Sequence, residues 1–228
     1  ARNKGIDGSD GKYLTFLDAD DELLTNAHSS IRQVIANNNN FGLLIGGHIS
    51  VQENGSEKKY LPAEISLDIR DRLSDYLIDK SVNLSNGATV FSREVFKNYR
   101  YPVQFRNSED IPVFAYTLAN FNVITVNEPF VKVYKHHDSL RNNQVYANQV
   151  GLDIVDEIFS EKRMPNIVME LKSKFTAQRC LSLSRTYYKN NSYTLCLDFF
   201  TQALKINPWV LFKWSYSFKA LKSLIKKT

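Results

Sequence analysis

A chain of 228 residues, 43% hydrophobic and 23% charged, can bury a good core and has the composition of a folded domain with an appendage, not of a disordered or fibrous protein. Two cysteines, Cys180 and Cys196, exclude a disulfide framework and a C-x-x-C metal pair and point to a reducing compartment, and no run of eighteen apolar residues offers a membrane-crossing helix. Six of the 29 basic residues follow Phe199 with no acid among them, which leaves 23 against 24 acids elsewhere: a near-neutral body that is no nucleic-acid binder, and a basic tail suited to an anionic neighbour such as a lipid surface.

Ala1 to Asp10 reads as a helix and a turn, because Asp7-Gly8-Ser9-Asp10-Gly11 is turn chemistry. Tyr13 to Leu17 is apolar, aromatic and β-branched, which predicts a buried strand. It runs straight into Asp18-Ala19-Asp20-Asp21-Glu22. So many carboxylates at a strand end repel one another unless a cation or hydrogen-bond donors share the site. Read alone, the cluster suits equally well a polar turn ahead of the helix that starts near Asn26. A calcium loop is excluded, since neither Asp7 nor Asp18 is followed by Gly at the sixth position with Glu at the twelfth.

Ile31, Val34 and Ile35 share one face of Ala27 to Asn37, an amphipathic helix. Phe41 to Gln52 reads as a strand, buried and then alternating, with His48 a structural residue in it. Glu53 to Leu61 reads as a polar loop, and Leu67 to Asp79 as a helix from the spacing of Ile69, Leu73, Tyr76 and Leu77. A strand ending at Phe91 follows, and Ser92 ahead of Val95 and Phe96 reads as the cap of a short helix. Arg106-Asn107-Ser108-Glu109-Asp110 precedes an apolar helix, Ile111 to Ala119; Ser108 as N-cap, with acids favoured by the helix dipole, accounts for it without any function. Asn122 to Val126 and Phe130 to Tyr134 read as strands on either side of a turn at Asn127-Glu128-Pro129, and Lys135-His136-His137 comes next.

From Gln144 the strand signal ends. Val150 to Phe159 and Ile167 to Tyr188 read as helices. Ala177 to Pro208 resembles one tetratricopeptide repeat, with Leu183, Tyr187, Phe200, Ala203 and Pro208 in the expected positions, Cys196 where a small residue belongs, and Asn190-Asn191-Ser192 as the turn. One such repeat cannot bury its own face, so it must pack on the body, on the preceding helix or on another chain. In Trp209 to Thr228, Leu211, Trp214, Phe218, Leu221 and Ile225 recur at intervals of three and four, with Lys219, Lys222 and Lys226 off that stripe. Three readings stay open for this tail: a helix capping the repeat, an interfacial membrane helix, and a homodimer contact.

The order A-R-N-x-G at Ala1 to Gly5, then G-x-Y-L-x-F-L-D-A-D-D from Gly11 to Asp21, resembles the family 2 glycosyltransferases of the GT-A fold. That resemblance implies an α/β class: a partial GT-A-like mixed sheet flanked by helices over residues 1–140, followed by an all-α helical appendage over 141–228. It implies an inverting, metal-dependent transfer of a sugar from a nucleotide-sugar, UDP-linked by the same resemblance, to a glycan or lipid-linked acceptor. Arg2 and Asn3 would belong to the nucleotide-sugar site, Asp18 would touch the ribose or sugar, and Asp20 would ligate Mn²⁺ or Mg²⁺. Glu109 and Asp110 match the family's Glu-Asp pair, with Asp110 as the general base and Glu109 positioning the acceptor. Ser85-Asn86-Gly87 would lie near the sugar pocket. N-E-P-x-x-x-x-Y-K-x-H at Asn127 to His137 is similar to the end of the catalytic region, where the His reaches the diphosphate or the metal and Lys135 helps neutralise it; His137 fits one spacing and His136 another, and His137 is preferred.

In that family a nucleotide-binding βαβ unit precedes the A-R-N-x-G helix. This chain opens at the helix with Ala1, so a piece of a longer protein is expected, with the base-reading residues outside it. The location implied is cytoplasmic, peripheral on the inner face of a membrane. The competing reading is a non-catalytic scaffold that recruits a partner through its helical repeat. A metal-dependent phosphohydrolase is disfavoured, because no Thr follows the candidate Asp nucleophile in the required pattern.

Overall fold

A computed structural model describes residues 1–38, 40–135 and 144–226. The chain divides into two compact units, one of Ala1–Tyr101 with Val113–Ser139, the other of Pro102–Pro112 with Leu140–Thr228.

The first unit is built on a mixed sheet, six-stranded among the described residues. Its strands are β1 (Tyr13–Leu14), β2 (Glu22–Leu23), β3 (Leu43–Val51), β4 (Glu57–Tyr60), β5 (Thr89–Ser92) and β6 (Val123–Tyr134). They run in the order β1-β5-β3-β6-β2, and β4 pairs with the second half of β3. Only β3 and β6 are parallel; the other pairs are antiparallel. As the central strand, β3 is covered on both faces, which is why Leu43, Leu44 and Ile45 form an unbroken apolar run. Successive side chains alternate between faces. Leu44 and Val90 join Phe130 under Ile31, Val34 and Ile35 of helix α2 (Ala27–Asn37). Phe91, the next residue after Val90 and so on the other face, packs with its ring centre 5.3 Å from that of Phe114 in helix α5 (Asp110–Asn120) and as far from that of Phe96 in α4 (Val95–Asn98).

Four local expectations change. The strand at Tyr13 is two residues long and half-buried, because it lies at the sheet edge with β5 as its partner; Leu17 is exposed. The polar loop after Gln52 contains β4, whose four side chains are all exposed, so no apolar period marked it. The turn predicted at Asn127-Glu128-Pro129 is continuous strand: β6 takes up extra residues opposite Gly46 and Gly47, and Pro129, which has no N–H to give, sits at that irregularity. A Cβ on Gly46 would stand 2.4 Å from the Phe130 ring and one on Gly47 2.4 Å from the Tyr60 carbonyl, so both positions need glycine. Ser92 is a strand residue whose hydroxyl accepts the Glu94 N–H at 3.4 Å just ahead of α4; it does not cap that helix. The remaining helices are α1 (Arg2–Asp7) and α3 (Ile69–Ser74), which is capped by Asp68 and continues into a wider turn, Asp75–Asp79. His48 stacks on its cross-strand partner Tyr60, a structural role.

The second unit, as described, is helical: α6 (Gln144–Val150), α7 (Asp153–Ile158), α8 (Leu171–Lys189), α9 (Tyr193–Ile206) and α10 (Trp214–Lys226). The helix expected over 150–159 is shorter, α7 at 153–158, and Val150 ends the preceding α6, with Gly151 at φ +45° between them. The α8–α9 turn falls at 190–192, with Asn191 left-handed at φ 58°. Leu183, Tyr187 and Cys196 are buried together, and Tyr187 stacks on Phe199. Ala177, Cys180, Leu181, Phe200 and Ala203 make a second cluster with Val210 and Ala220. Arg179 is half-buried here and donates to the Gly151 carbonyl at 3.0 Å; desolvation pulls its guanidinium down to about 10.

Candidate active site

The carboxylate run at 18–22 forms a turn between β1 and β2. The Asp21 N–H donates to the Asp18 carbonyl at 3.1 Å, which closes it. The Arg2 guanidinium donates to Asp18 Oδ1 at 3.1 Å and lies 5.6 Å from the centre of the Tyr101 ring. Asn3 is committed elsewhere: its amide donates to the Tyr101 carbonyl at 2.9 Å and accepts the Tyr101 N–H at 3.1 Å. The Tyr101 hydroxyl in turn donates to Asn86 Oδ1 at 2.8 Å, and its ring packs on Phe16 and Phe96. One tyrosine therefore gathers the first helix, the strand before the carboxylates and the 86–88 segment.

From the other side, Asp21 accepts the Tyr134 N–H at 3.2 Å, and the Tyr134 hydroxyl donates to Glu22 at 2.9 Å. Partial burial raises the Asp21 carboxyl above its ordinary value, and the charges of Asp20 and Asp18 add to that rise; the Tyr134 N–H and the Lys135 ammonium oppose it. The turn is thus a concentration of negative charge with cations at its margin, Arg2 on one flank and Lys135 on the other.

This pairing of an A-R-N-x-G helix with an Asp-x-Asp turn agrees with what comparison with known proteins finds. Residues 1–100 match the model for "Glycosyl transferase family 2". A curated protein of Campylobacter jejuni, named as GalNAc(5)-diNAcBac-PP-undecaprenol beta-1,3-glucosyltransferase, is 28% identical over 108 residues, 47% of this chain and 34% of its own length. The chain spans about a third of that relative.

Within the family 2 segment, the donor set fits a divalent cation of the hard, oxygen-loving kind. Among the described residues no three His, Cys, Asp or Glu side chains gather round one point. Asp20 is the residue of this turn that would hold such a cation, with Asp18 beside it for the sugar or ribose. His136 and His137 lie outside the described residues.

The Glu109–Asp110 pair belongs to the second unit. Phe105 is buried, Arg106 lies 5.3 Å from the centre of the Tyr146 ring, and Asn107 turns the chain at φ 68°. The Ser108 N–H donates to the Phe105 carbonyl at 2.8 Å, and Asp110 opens α5. Both acids thus stand at a helix N-terminus, where the backbone dipole favours negative charge.

Tyr101 and Arg93 were not singled out from the sequence, and Tyr134 was read only as a strand end and motif position, not as a partner of the carboxylates. Arg93 holds the 6–11 segment by donating to the carbonyls of Gly11, Ile6 and Ser9 at 2.7, 3.0 and 2.6 Å. All three act across more than eighty residues of chain, and no local pattern signals such a contact.

Proposed function

We propose that the protein transfers a sugar from a nucleotide-sugar to a lipid-linked acceptor, with inversion at the anomeric carbon. The observation that carries this reading is the Asp18–Asp21 turn, tied by Arg2 to the first helix inside the segment that matches the family. The named relative, a glucosyltransferase with an undecaprenol-linked acceptor, supports the acceptor class.

In this reading the acceptor hydroxyl attacks the anomeric carbon as the bond to the diphosphate breaks. Asp110 takes the hydroxyl proton, and Glu109 orients the acceptor. Asp18 holds the sugar or ribose, and Arg2 keeps that carboxylate in place. A Mn²⁺ or Mg²⁺ ion bound at Asp20, with His137 as a further ligand, supplies positive charge where the departing UDP gathers negative charge. Asn3, both ends of whose amide are engaged by Tyr101, shapes the wall of the site. The helical unit is proposed as a separate appendage, with the tetratricopeptide-like hairpin as its centre.

Calorimetric titration of the chain with UDP, with and without Mn²⁺, tests the donor side. Heat is expected only with metal and is expected to vanish in Asp20→Ala. In the longer protein, Asp110→Asn is expected to cost about 10²–10⁴ in turnover while UDP binding persists. Absence of metal-dependent UDP binding in both the chain and the longer protein would overturn the reading in favour of a scaffold.

A further inference from the structure

Helix α10 is amphipathic, yet a large apolar stripe of it points outward. It docks on α8 and α9 through Tyr216, Ala220 and Ser223: Tyr216 packs on the cluster there, Ala220 and Ser223 are buried, and the Ser223 hydroxyl reaches Cys196 Sγ at 3.3 Å. Trp214, Phe218, Leu221 and Ile225 recur at i, i+4, i+7 and i+11, one stripe of a helix on roughly the opposite side from Ala220 and Ser223. These four are 80%, 56%, 55% and 70% exposed, and Trp209 and Phe212 in the turn before α10 are 75% and 64% exposed. Single exposed apolar residues are ordinary; six large ones within residues 209–225 are not.

The charge around the stripe is of one sign. Every ionisable side chain after Asp198 that carries a charge at neutral pH is a lysine. Lys222 lies 4.5 Å from the centre of the Phe218 ring, on one flank of the stripe, and Lys219 stands further round the helix, where it donates to the Ser215 carbonyl at 2.8 Å. An apolar stripe with lysines along one side complements a lipid surface with anionic headgroups. Tryptophan and long lysine stems suit that boundary, since each has an apolar body and a polar end. A second copy of this chain fits worse. A two-fold contact through the stripe would set the lysines of one copy against those of the other, with no acid to pair them. Thirteen residues of helix span about 20 Å, short of a hydrocarbon core of about 30 Å, and no described helix is long and apolar enough to cross a membrane.

We propose that α10, together with Trp209 and Phe212, seats this chain in the plane of an anionic bilayer surface. The proposal requires neither donor nor metal, so it stands or falls apart from the transferase reading. Trp209 and Trp214 are the chain's two tryptophans and both lie in the patch, so their fluorescence reports on it.

The test is co-sedimentation and tryptophan emission of the 228-residue chain with vesicles of phosphatidylcholine, alone or mixed with phosphatidylglycerol. Sedimentation and a blue shift are expected with the anionic vesicles and are expected to weaken in high salt. Phe218→Ser with Leu221→Ser should weaken binding by at least about tenfold, and Lys219→Gln with Lys222→Gln by about tenfold on anionic vesicles. Unchanged melting temperatures in both double variants would show that the fold is intact. Failure to bind anionic vesicles, or binding that both variants retain, overturns the proposal. So does self-association of the chain that Phe218→Ser with Leu221→Ser abolishes, which would assign the stripe to a second copy.

Discussion

Phe91 in β5 and Phe218 in α10 are the same side chain in two settings. Phe91 is fully buried, ringed by Phe16, Phe96 and Phe114. Phe218 is more than half exposed, with a lysine ammonium over its ring. Each belongs to an apolar pattern of the correct period for its element. Periodicity says which residues share a face; what the face meets depends on the neighbours. In β5 the facing surface is made of large rings. In α10 the inward positions are Tyr216, Ala220 and Ser223, and the helix lies against α8 and α9 on them while its bulky stripe turns away.

Truncating side chains in the two regions separates them. Phe91→Ala should cost about 3–5 kcal/mol of unfolding free energy by denaturant titration, because the cavity cannot close around three remaining rings. A loss below about 1 kcal/mol there would mean that the sheet core is looser than its packing suggests. Gly46→Val should cost about 1–3 kcal/mol, since its Cβ meets the Phe130 ring at the β3–β6 irregularity. Asp68→Ala should lower the thermal midpoint by less than that. Asp68 accepts the backbone N–H groups of Asp71 and Arg70, which hold its carboxyl below the ordinary 3.8. The charge therefore stabilises the fold above that value, and the benefit fades as pH falls through the depressed one. The gap between Asp68→Ala and the parent chain should accordingly narrow on acidification below 3.8. Phe218→Ala should be the mildest, within about 0.5 kcal/mol in the absence of lipid. A cost as large as that of Phe91→Ala would show that the α10 stripe is covered in solution and would end the contrast.

Much of the candidate site was legible because it is contiguous. Asp18, Asp20 and Asp21 are neighbours in the chain, and the Asp-x-Asp spacing is itself the signal. Arg2 lies sixteen residues from the Asp18 it pairs with, inside the same motif. What closes the turn from the far side, Tyr134 on Asp21 and Glu22, is more than a hundred residues away, and the motif around Tyr134 gave no sign of that contact. Asn3 was read toward the nucleotide, yet its amide is occupied by the backbone of Tyr101, a partner that only the folded chain brings near.

By itself the sequence determined the elements whose pattern is local. The bounds of α2 follow from Ile31, Val34 and Ile35, the buried run of β3 from unbroken apolar residues, and the α8–α9 turn from Asn190-Asn191-Ser192. The tertiary structure decided whatever depends on a neighbour distant in the chain. Tyr13 and Leu14 lie at a sheet edge and are only half-buried. The four exposed residues of β4 are strand because β3 offers them a ladder. β6 continues through Pro129 because Gly46 and Gly47 let the Phe130 ring and the Tyr60 carbonyl come close. The α10 stripe faces outward because Tyr216, Ala220 and Ser223, on the opposite side of the helix, are the residues that meet α8 and α9. Hydrophobic periodicity is set by backbone geometry and can be read one residue at a time, whereas burial is a property of pairs of surfaces.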